Sequence, residues 1–289
     1  MVGARHRGAT VQPRDSPGGH GSFRCVGGAH GSPITAGGRV QAAGGQCRIY
    51  AHRGLSALAP ENTLAAVRLA VERGATWAEV DVDVIRDGTV IVLHDSTLDR
   101  TTDRSGRYDD LVAADLSGID AGSWFSPDFA GEPLPTLPRL LEIATATGLG
   151  LNLELKSNEA GGSRSLLLVE RVAAELEARG MGERVLVSSF NHLLLYLFKQ
   201  RLPQVPVACL YGRPGPYGDW RSTMELTGAE HIHLEDAGLT REMVQLARGA
   251  GYGVGVWTVN SRGRANELFN WGATAVFSDN AHEMLDLAR

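Results

Sequence analysis

The sequence has few cysteines, few aromatic residues and no excess of basic residues. Three cysteines in 289 residues (Cys25, Cys47 and Cys209) cannot form a disulfide framework, which favours reduced thiols and a cytoplasmic location. A net charge of −5 argues against nucleic acid as the main partner. The longest apolar run, residues 193–198, is far shorter than the ~18 residues of a membrane span. A hydrophobic content of 43% also excludes an intrinsically disordered chain, so we expect a folded enzyme-sized domain without a transmembrane segment.

The glycine content is very unevenly distributed. Residues 1–46 contain 12 of the 36 glycines and show neither helical nor strand periodicity. Residues 1–48 contain six arginines and a single acid, Asp15, which gives this stretch a charge of +5. The remaining 22 basic and 32 acidic residues give the rest of the chain −10. We expect residues 1–46 to be a disordered Gly/Arg-rich extension or the product of an upstream start codon, with no secretory signal, and residues 47–289 to form one catalytic domain.

From residue 48 onward, short apolar runs alternate with longer helical patterns. The pattern predicts strands at 48–52, 78–84, 150–155, 185–188, 205–210, 231–234, 253–258 and 274–277, with helices at 62–74, 137–147, 164–179, 191–201, 219–227, 240–250, 261–271 and 281–288. Eight strand–helix pairs predict an α/β fold, the (β/α)8 TIM barrel. The run 90–93 follows Asp87-Gly88 too closely for a parallel crossover, so it predicts a β-hairpin outside the barrel. Residues 95–136 then form an insertion after strand 2, of a length typical of a lid or substrate wall. A doubly wound sheet is the competing fold, but no glycine-rich dinucleotide motif follows the first strand.

Acidic residues alternate with apolar ones on two of these strands. Glu79, Asp81 and Asp83 share one face of the second strand, and Glu154 shares a face with Asn152 and Lys156 on the strand at 150–155. Because catalytic groups of such barrels lie at the carboxyl ends of strands, these carboxylates should converge. A divalent cation, Mg²⁺ or Ca²⁺, held by Glu79, Asp81 and Glu154 would compensate their charge. Pairing of the acids with Arg or Lys outside the barrel is the alternative.

Two histidines also stand at the ends of apolar runs. His52 and His94 are suited to act as an acid–base pair, since histidine titrates near neutral pH. Arg53 and Lys156 would complement a phosphate. A metal ion, two cations and two histidines together indicate phosphodiester cleavage, in which one histidine activates the nucleophile and the other protonates the leaving alkoxide.

The motifs resemble those of the glycerophosphodiester phosphodiesterases. The similar strings are His52-Arg53-Gly54, Pro60-Glu61-Asn62-Thr63, Glu79-Val80-Asp81, His94-Asp95, Leu98-Asp99-Arg100-Thr101-Thr102 with Gly106, and Glu154-Leu155-Lys156. They span roughly 48–280 in the order typical of that family. The family is a (β/α)8 barrel that uses a divalent cation to hydrolyse glycerophosphodiesters to glycerol 3-phosphate and an alcohol.

The resemblance implies a role for each matching residue. Glu79, Asp81 and Glu154 would be the metal ligands, His52 and His94 the acid–base pair, and Arg53 and Lys156 the phosphate contacts. Glu61 would lie near the metal or a glycerol hydroxyl. Phe190 and Trp257 match positions where an aromatic side chain packs against the glycerol backbone, although rim aromatics of this kind also serve as core. The string Phe277-Ser278-Asp279-Asn280 lacks the proline that the family often has there, which should alter a loop rather than the chemistry.

Other interpretations stay open at this point. A lysophospholipase D would keep the site but act on a lysophospholipid, for which Trp124, Phe125 and Phe129 are the candidate apolar anchors. A catalytically inactive barrel that binds a phosphorylated ligand should lack a ligand or a histidine, and none is missing. His231 and His233 alternate on one strand, but without a third partner we expect them to be structural rather than a second metal pair.

Overall fold

Eight parallel strands close into a barrel. The structure is a computed structural model that describes residues 47–156, 161–216 and 218–288, so the expected extension at 1–46 lies outside the described residues. The barrel strands are β1 (Arg48–Ala51), β2 (Trp77–Val84), β4 (Gly150–Leu155), β5 (Val185–Ser189), β6 (Val207–Tyr211), β7 (His231–Glu235), β8 (Gly253–Trp257) and β9 (Ala275–Ser278). Each pairs with its neighbour in chain order, and β1 pairs with both β2 and β9, which closes the ring. The predicted TIM barrel is confirmed.

Helices connect the strands on the outside of the barrel. They are α1 (Leu64–Glu72), α2 (Leu137–Thr147), α3 (Gly162–Arg179), α4 (His192–Arg201), α5 (Trp220–Thr227), α6 (Arg241–Gly249) and α7 (Arg262–Trp271), all within two residues of the predicted bounds. The predicted eighth helix at 281–288 is wrong. Two short 3₁₀ helices, Ala281–Glu283 and Leu285–Leu287, replace it, because Met284 between them has φ −139° and ψ 10°. Met284 is fully buried, so its packing takes precedence over helical continuity at this point.

The run at 90–93 lies outside the barrel, as predicted. It forms β3 (Val90–Val92), which pairs antiparallel with β2 through Val82↔Val92 and Val84↔Val90. The insertion that follows contains two 3₁₀ helices, Ala113–Gly118 and Pro127–Phe129. It shares a small apolar core with the hairpin, formed by Ile85, Ile91, Leu93, Leu98, Tyr108, Leu116, Ile119, Ala121 and Leu134. The insertion is therefore a packed subregion rather than a loose loop.

Polar side chains face the barrel interior toward the carboxyl ends of the strands. The register aligns Glu79 with Asn152 and Asp81 with Glu154, and it aligns Glu154 with Ser188. Because side chains alternate along a strand, all five point to the same side of the sheet, whereas Val80, Val82, Leu153 and Leu155 point to the helices and are buried. The alternation of acids and aliphatic residues in the sequence thus fixes which face carries chemistry.

Candidate active site

Three carboxylates converge where β2 and β4 lie side by side. Glu79, Asp81 and Glu154 each offer one oxygen, and these oxygens lie within 4.8 Å of one another. Glu79 and Asp81 are buried and Glu154 is half-buried. Ca²⁺ takes carboxylate oxygens at about 2.3–2.6 Å and Mg²⁺ at about 2.0–2.1 Å, so a cluster of this size and chemistry fits a hard divalent cation. The fourth acid of the pattern, Asp83, accepts a hydrogen bond from the hydroxyl of Tyr108 at 2.7 Å and so contacts the insertion rather than the cluster.

Burial and mutual repulsion set the charge of this cluster. Burial, together with the charges of Asp81 and Glu154, raises the pKa of Glu79 well above its usual value. Burial and Asp81 raise the pKa of Glu154 to about 7. For Asp81, burial acts in the same direction, but Lys156 and Arg53 outweigh it and lower the pKa. Arg53 and Lys156 therefore do not fully stabilise all three carboxyl groups as anions, which is the condition under which a bound cation is stabilising.

Two cations lie directly beside these acids. Lys156 Nζ is 2.8 Å from Glu154 Oε1 and 3.4 Å from Asp81 Oδ1, and Arg53 Nε is 3.5 Å from Asp81 Oδ2. Both cationic side chains are mostly buried, and burial opposes their charge while the neighbouring carboxylates raise their pKa. The acids therefore do pair with Arg and Lys, but with cations inside the barrel mouth rather than outside the barrel.

A strained turn after β1 aims Arg53 at the cluster. Arg53 has φ 54° and Asn62 has φ 58°, both in the left-handed region that non-glycine residues seldom adopt. The Arg53 backbone N–H donates to Glu79 Oε2 at 3.0 Å. Asn62 and Asp81 share two hydrogen bonds: Asn62 Nδ2 donates to Asp81 Oδ2 at 2.8 Å, and the Asp81 backbone N–H donates to Asn62 Oδ1 at 3.1 Å. Gly54 follows with φ +80°, and a Cβ there would lie 2.7 Å from the Ala66 Cβ. The motif requires glycine because the turn packs directly on α1.

His52 is held by a carboxylate from the last strand. Its Nδ1 is 2.7 Å from Asp279 Oδ1, so the ring proton is assigned to Nδ1 and donates to the carboxylate. Asp279 also accepts from Ser56 Oγ at 2.8 Å and from Asn260 Nδ2 at 2.6 Å. Burial would raise the pKa of Asp279, but these donors, with His52 foremost, hold it well below its usual range. The other nitrogen, His52 Nε2, is 3.9 Å from Glu79 Oε2, on the cavity side.

His94 has an equivalent partner. Its Nδ1 is 2.7 Å from Asp95 Oδ1, and Arg100 donates to the other Asp95 oxygen from Nε at 2.6 Å. Arg100 also donates a hydrogen bond to Glu61, and Glu61 accepts a further one from Arg53 at 2.7 Å. Each histidine therefore has one nitrogen fixed by an ionised aspartate, which leaves its Nε2 as the free nitrogen. The carboxylate of Glu61, which we expected near a metal or a glycerol hydroxyl, accepts hydrogen bonds from these two arginines.

A cavity of about 220 Å³ opens above the cluster. Seven of the ten predicted site residues line it: His52, Arg53, Glu79, His94, Glu154, Phe190 and Trp257. The other three, Asp81, Lys156 and Glu61, lie one side chain behind them. The Phe190 and Trp257 rings meet edge to face at 5.6 Å, and Phe190 is 48% exposed, so this pair forms a wall of the cavity rather than part of the core.

Sequence reasoning missed several residues of this site. Asp279 was considered only as part of a loop motif, although it directly follows the apolar run of β9, where strand ends carry chemistry. Asn62 and Arg100 belong to motifs that resemble the family's, but the sequence alone indicates no role for either side chain. His233, expected to be structural, lines the cavity. The strand-end rule would have found Asp279, whereas only coordinates could have shown the pairing of Arg100 with Asp95 and Glu61.

Comparison with known proteins identifies the family. The model of the glycerophosphoryl diester phosphodiesterase family matches residues 52–283. The chain belongs to this family. The match includes every predicted site residue and ends beyond β9, so it covers the whole barrel after β1.

Individual glycerophosphodiester phosphodiesterases match over the same region. One from Caldanaerobacter subterraneus subsp. tengcongensis is 31% identical over 241 residues, which cover 83% of this chain and 97% of the relative. One from Bacillus altitudinis is 32% identical over 237 residues, covering 80% and 94%. A phosphodiesterase from Oleispira antarctica, solved in complex with the product sn-glycerol-3-phosphate, gives a TM-score of 0.77 at 31% identity and covers 84% of this chain and 96% of its own. The expected family and the expected enzyme class, a phosphoric diester hydrolase, are confirmed.

Proposed function

We propose that this glycerophosphodiester phosphodiesterase hydrolyses glycerophosphodiesters to sn-glycerol 3-phosphate and an alcohol by metal-dependent acid–base catalysis with His52 and His94. The single observation that carries the proposal is the convergence of the two aspartate-bound histidines, Arg53 and the three-carboxylate cluster around one cavity. No other arrangement of these groups in the described residues combines a cation site with two titratable nitrogens.

Glu79, Asp81 and Glu154 are the proposed ligands of one divalent cation, Mg²⁺ or Ca²⁺. A cation bound there would supply electrostatic stabilisation of the negative charge that develops on the phosphoryl oxygens. Arg53 adds a planar donor fork at the cavity, and Lys156 adds a compact positive charge behind it. The chain's own positive groups thus offset the repulsion between an anionic diester and an acidic protein.

The histidines move the protons in this proposal. One Nε2 accepts the proton of the attacking oxygen and the other donates a proton to the leaving alkoxide. Asp279 and Asp95 are positioning residues, because each fixes the ring orientation and keeps the Nδ1 proton in place. Phe190 and Trp257 provide an apolar wall against which the carbon atoms of the substrate pack.

The proposal has a direct test in the purified full chain. Wild-type protein, stripped of metal and titrated with Mg²⁺ or Ca²⁺, should release sn-glycerol 3-phosphate from glycerophosphocholine. His52→Ala and His94→Ala should lower kcat by roughly 10²- to 10⁴-fold at saturating metal. The control is His282→Ala, in the 3₁₀ helix Ala281–Glu283 and outside the cavity lining, which should retain activity. Near-wild-type turnover by either histidine variant, or no product with any divalent cation, would contradict the assignment.

The same assay separates the alternative activity. Lysophosphatidylcholine presented in parallel should be hydrolysed far more slowly than glycerophosphocholine, and the reverse preference would favour a lysophospholipase D. Among the described residues no helix has the length and apolar character needed to cross a bilayer. The low cysteine content, together with Cys209, which forms no disulfide, supports our proposal of a cytoplasmic enzyme. The net charge of −5 supports small-molecule rather than nucleic-acid partners.

A further inference from the structure

One histidine in the cavity has no role in the chemistry described above. His233 lies in the middle of β7, faces the barrel interior and is 1% exposed. It lines the same cavity as His52 and His94, and its Nδ1 has no hydrogen-bond partner among the described residues. Its ring packs at 4.8 Å against the ring of Phe277, an apolar neighbour. A residue of the cavity lining thus carries a buried imidazole nitrogen that has no hydrogen-bond partner in the described part of the protein.

Asn152 presents a second unpartnered atom to the same cavity. It lies on β4, is 1% exposed, and donates from Nδ2 to Ser188 Oγ at 2.8 Å. Its Oδ1 is buried and accepts no hydrogen bond from the described residues. Because Nδ2 is engaged by Ser188, the side chain is held in one orientation, with the acceptor oxygen left over.

Neither His233 Nδ1 nor Asn152 Oδ1 has a hydrogen-bond partner among the described residues. A buried donor or acceptor without a partner costs roughly 1–3 kcal/mol. Four such atoms belong to residues that line this cavity, because Arg53 Nε and Trp257 Nε1 add to the two named above, and together they call for a ligand that satisfies them.

The absence of a side chain at Gly255 makes space for the imidazole of His233. Gly255 pairs with His233 across the sheet, and a Cβ at Gly255 would lie 2.7 Å from His233 Cδ2. Burial, with His231 nearby, lowers the pKa of His233 well below 6.5, so the ring is neutral and offers one donor and one acceptor.

The position of the pair selects the part of the substrate that it meets. Asn152 lies level with Glu79, the deepest member of the carboxylate cluster, and two residues before Glu154, and His233 lies two residues before Glu235, the last residue of β7, so both lie deeper in the barrel than the strand ends. Arg53, Lys156 and the carboxylate cluster assign the phosphate to the mouth. The leaving alcohol must reach solvent, whereas the three-carbon glycerol end is short enough for the closed side of a cavity with room for about seven waters.

We propose that Asn152 and His233 form an inner subsite that binds a hydroxyl group of the glycerol end of the diester. This inference rests on the proposed function and adds the residues that select glycerol. Asn152 Oδ1 accepts the hydroxyl proton and the His233 ring makes a second hydrogen bond with the same oxygen or its neighbour. A substrate without that hydroxyl leaves both groups unsatisfied, which is the condition for strong discrimination.

The test compares three choline phosphodiesters that carry glycerol, propane-1,2-diol or propane-1,3-diol at the other end. The wild type should prefer glycerol over at least one diol by tenfold or more in kcat/KM. His233→Phe should lower kcat/KM for the glycerol diester about 10- to 100-fold and change little for the diol that lacks the recognised hydroxyl, so the preference collapses. Asn152→Leu should do the same. The control is His231→Phe, one layer deeper on the same strand and outside the cavity lining, which should keep the wild-type preference.

A stability measurement separates this role from a structural one. Because His233 has no partner to lose at Nδ1, substrate-free His233→Phe should melt at the wild-type temperature or above it, whereas a structural histidine would lower it. An equal loss of kcat/KM for all three substrates, as expected if the two atoms hold only an ordered water, would overturn the inference. Absence of any glycerol 3-phosphate release by the wild type would instead overturn the proposed function.

Discussion

The carboxylate of Asp279 provides a demanding test of how the site works. Asp279→Asn keeps the size and shape of the side chain but removes its charge and replaces one acceptor oxygen with a donor. In the protein, Asp279 receives hydrogen bonds from His52, Ser56 and Asn260. An asparagine cannot accept from all three, so its amide group must face at least one donor. If that donor is His52, the ring either rotates or moves its proton to Nε2, the nitrogen required in the cavity.

The size of the effect follows from the role of His52. A positioned acid or base contributes roughly 10²- to 10⁴-fold to rate, so loss of the correct orientation or proton position should lower kcat by an amount within that range. This corresponds to about 3–5 kcal/mol of activation free energy. The carboxylate cluster lies on β2 and β4, away from β9, so the metal concentration for half-maximal activity should stay within about twofold of the wild type.

The assay measures kcat and half-activating metal concentration for glycerophosphocholine in Asp279→Asn and in a matched control, Asp236→Asn. Asp236 also follows a barrel strand and pairs with an arginine, Arg264, at 2.9 Å, but it does not line the cavity. The control should retain wild-type kcat. The reasoning would be refuted by an Asp279→Asn protein that is folded, binds metal normally and turns over within threefold of wild type.

Three further predictions concern the metal, the strained turn and acid stability. Glu154→Gln should raise the half-activating metal concentration at least tenfold, whereas the exposed Glu142→Gln should leave it unchanged in the same titration; equal constants would remove Glu154 from the ligand set. Gly54→Ala should lower the free energy of unfolding in urea by about 2 kcal/mol or more, because the new Cβ would collide with α1. Gly131→Ala, at a similar φ of +84° but with nothing within 4 Å of the new Cβ, should lower it by about 1 kcal/mol. Similar losses for the two variants would contradict the packing argument. Burial lowers the pKa of His231 to about 4. Between pH 6.5 and pH 4, His231 is therefore protonated in the unfolded chain but stays neutral in the native protein. Stability should therefore fall by on the order of 3 kcal/mol over that interval, and urea unfolding of His231→Phe at pH 7 and pH 4.5 should show a smaller difference.

The barrel and the cluster were predictable because both depend on local periodicity. Alternation of acids with valines and leucines on β2 and β4 assigns Glu79, Asp81 and Glu154 to one face before any fold is known. The hairpin at β3 followed from the short Asp-Gly connection. These features are properties of neighbouring residues, which a single sequence contains in full.

The remaining features depend on long-range contacts. His52 and Asp279 are 227 positions apart, and nothing local to either residue indicates that they meet. Glu61 accepts hydrogen bonds from Arg100, which the insertion supplies 39 positions further along the chain. The last predicted helix failed for a related reason, since the burial of Met284 interrupts a segment whose local pattern is helical. In each case a tertiary contact decided what the local pattern left undetermined.

The closure of the barrel has a consequence for the order in which the protein matures. The carboxylate cluster lies on β2 and β4, which pair directly and lie in the first half of the barrel. His52 receives its aspartate only when β9 pairs with β1, from Arg48↔Ala275 to Ala51↔Ser278. A chain emerging from the ribosome would therefore complete its carboxylate cluster well before it could orient its first histidine. At the proposed metal site, cation uptake would require only that β2 has paired with β4, whereas turnover would require that the ring has closed.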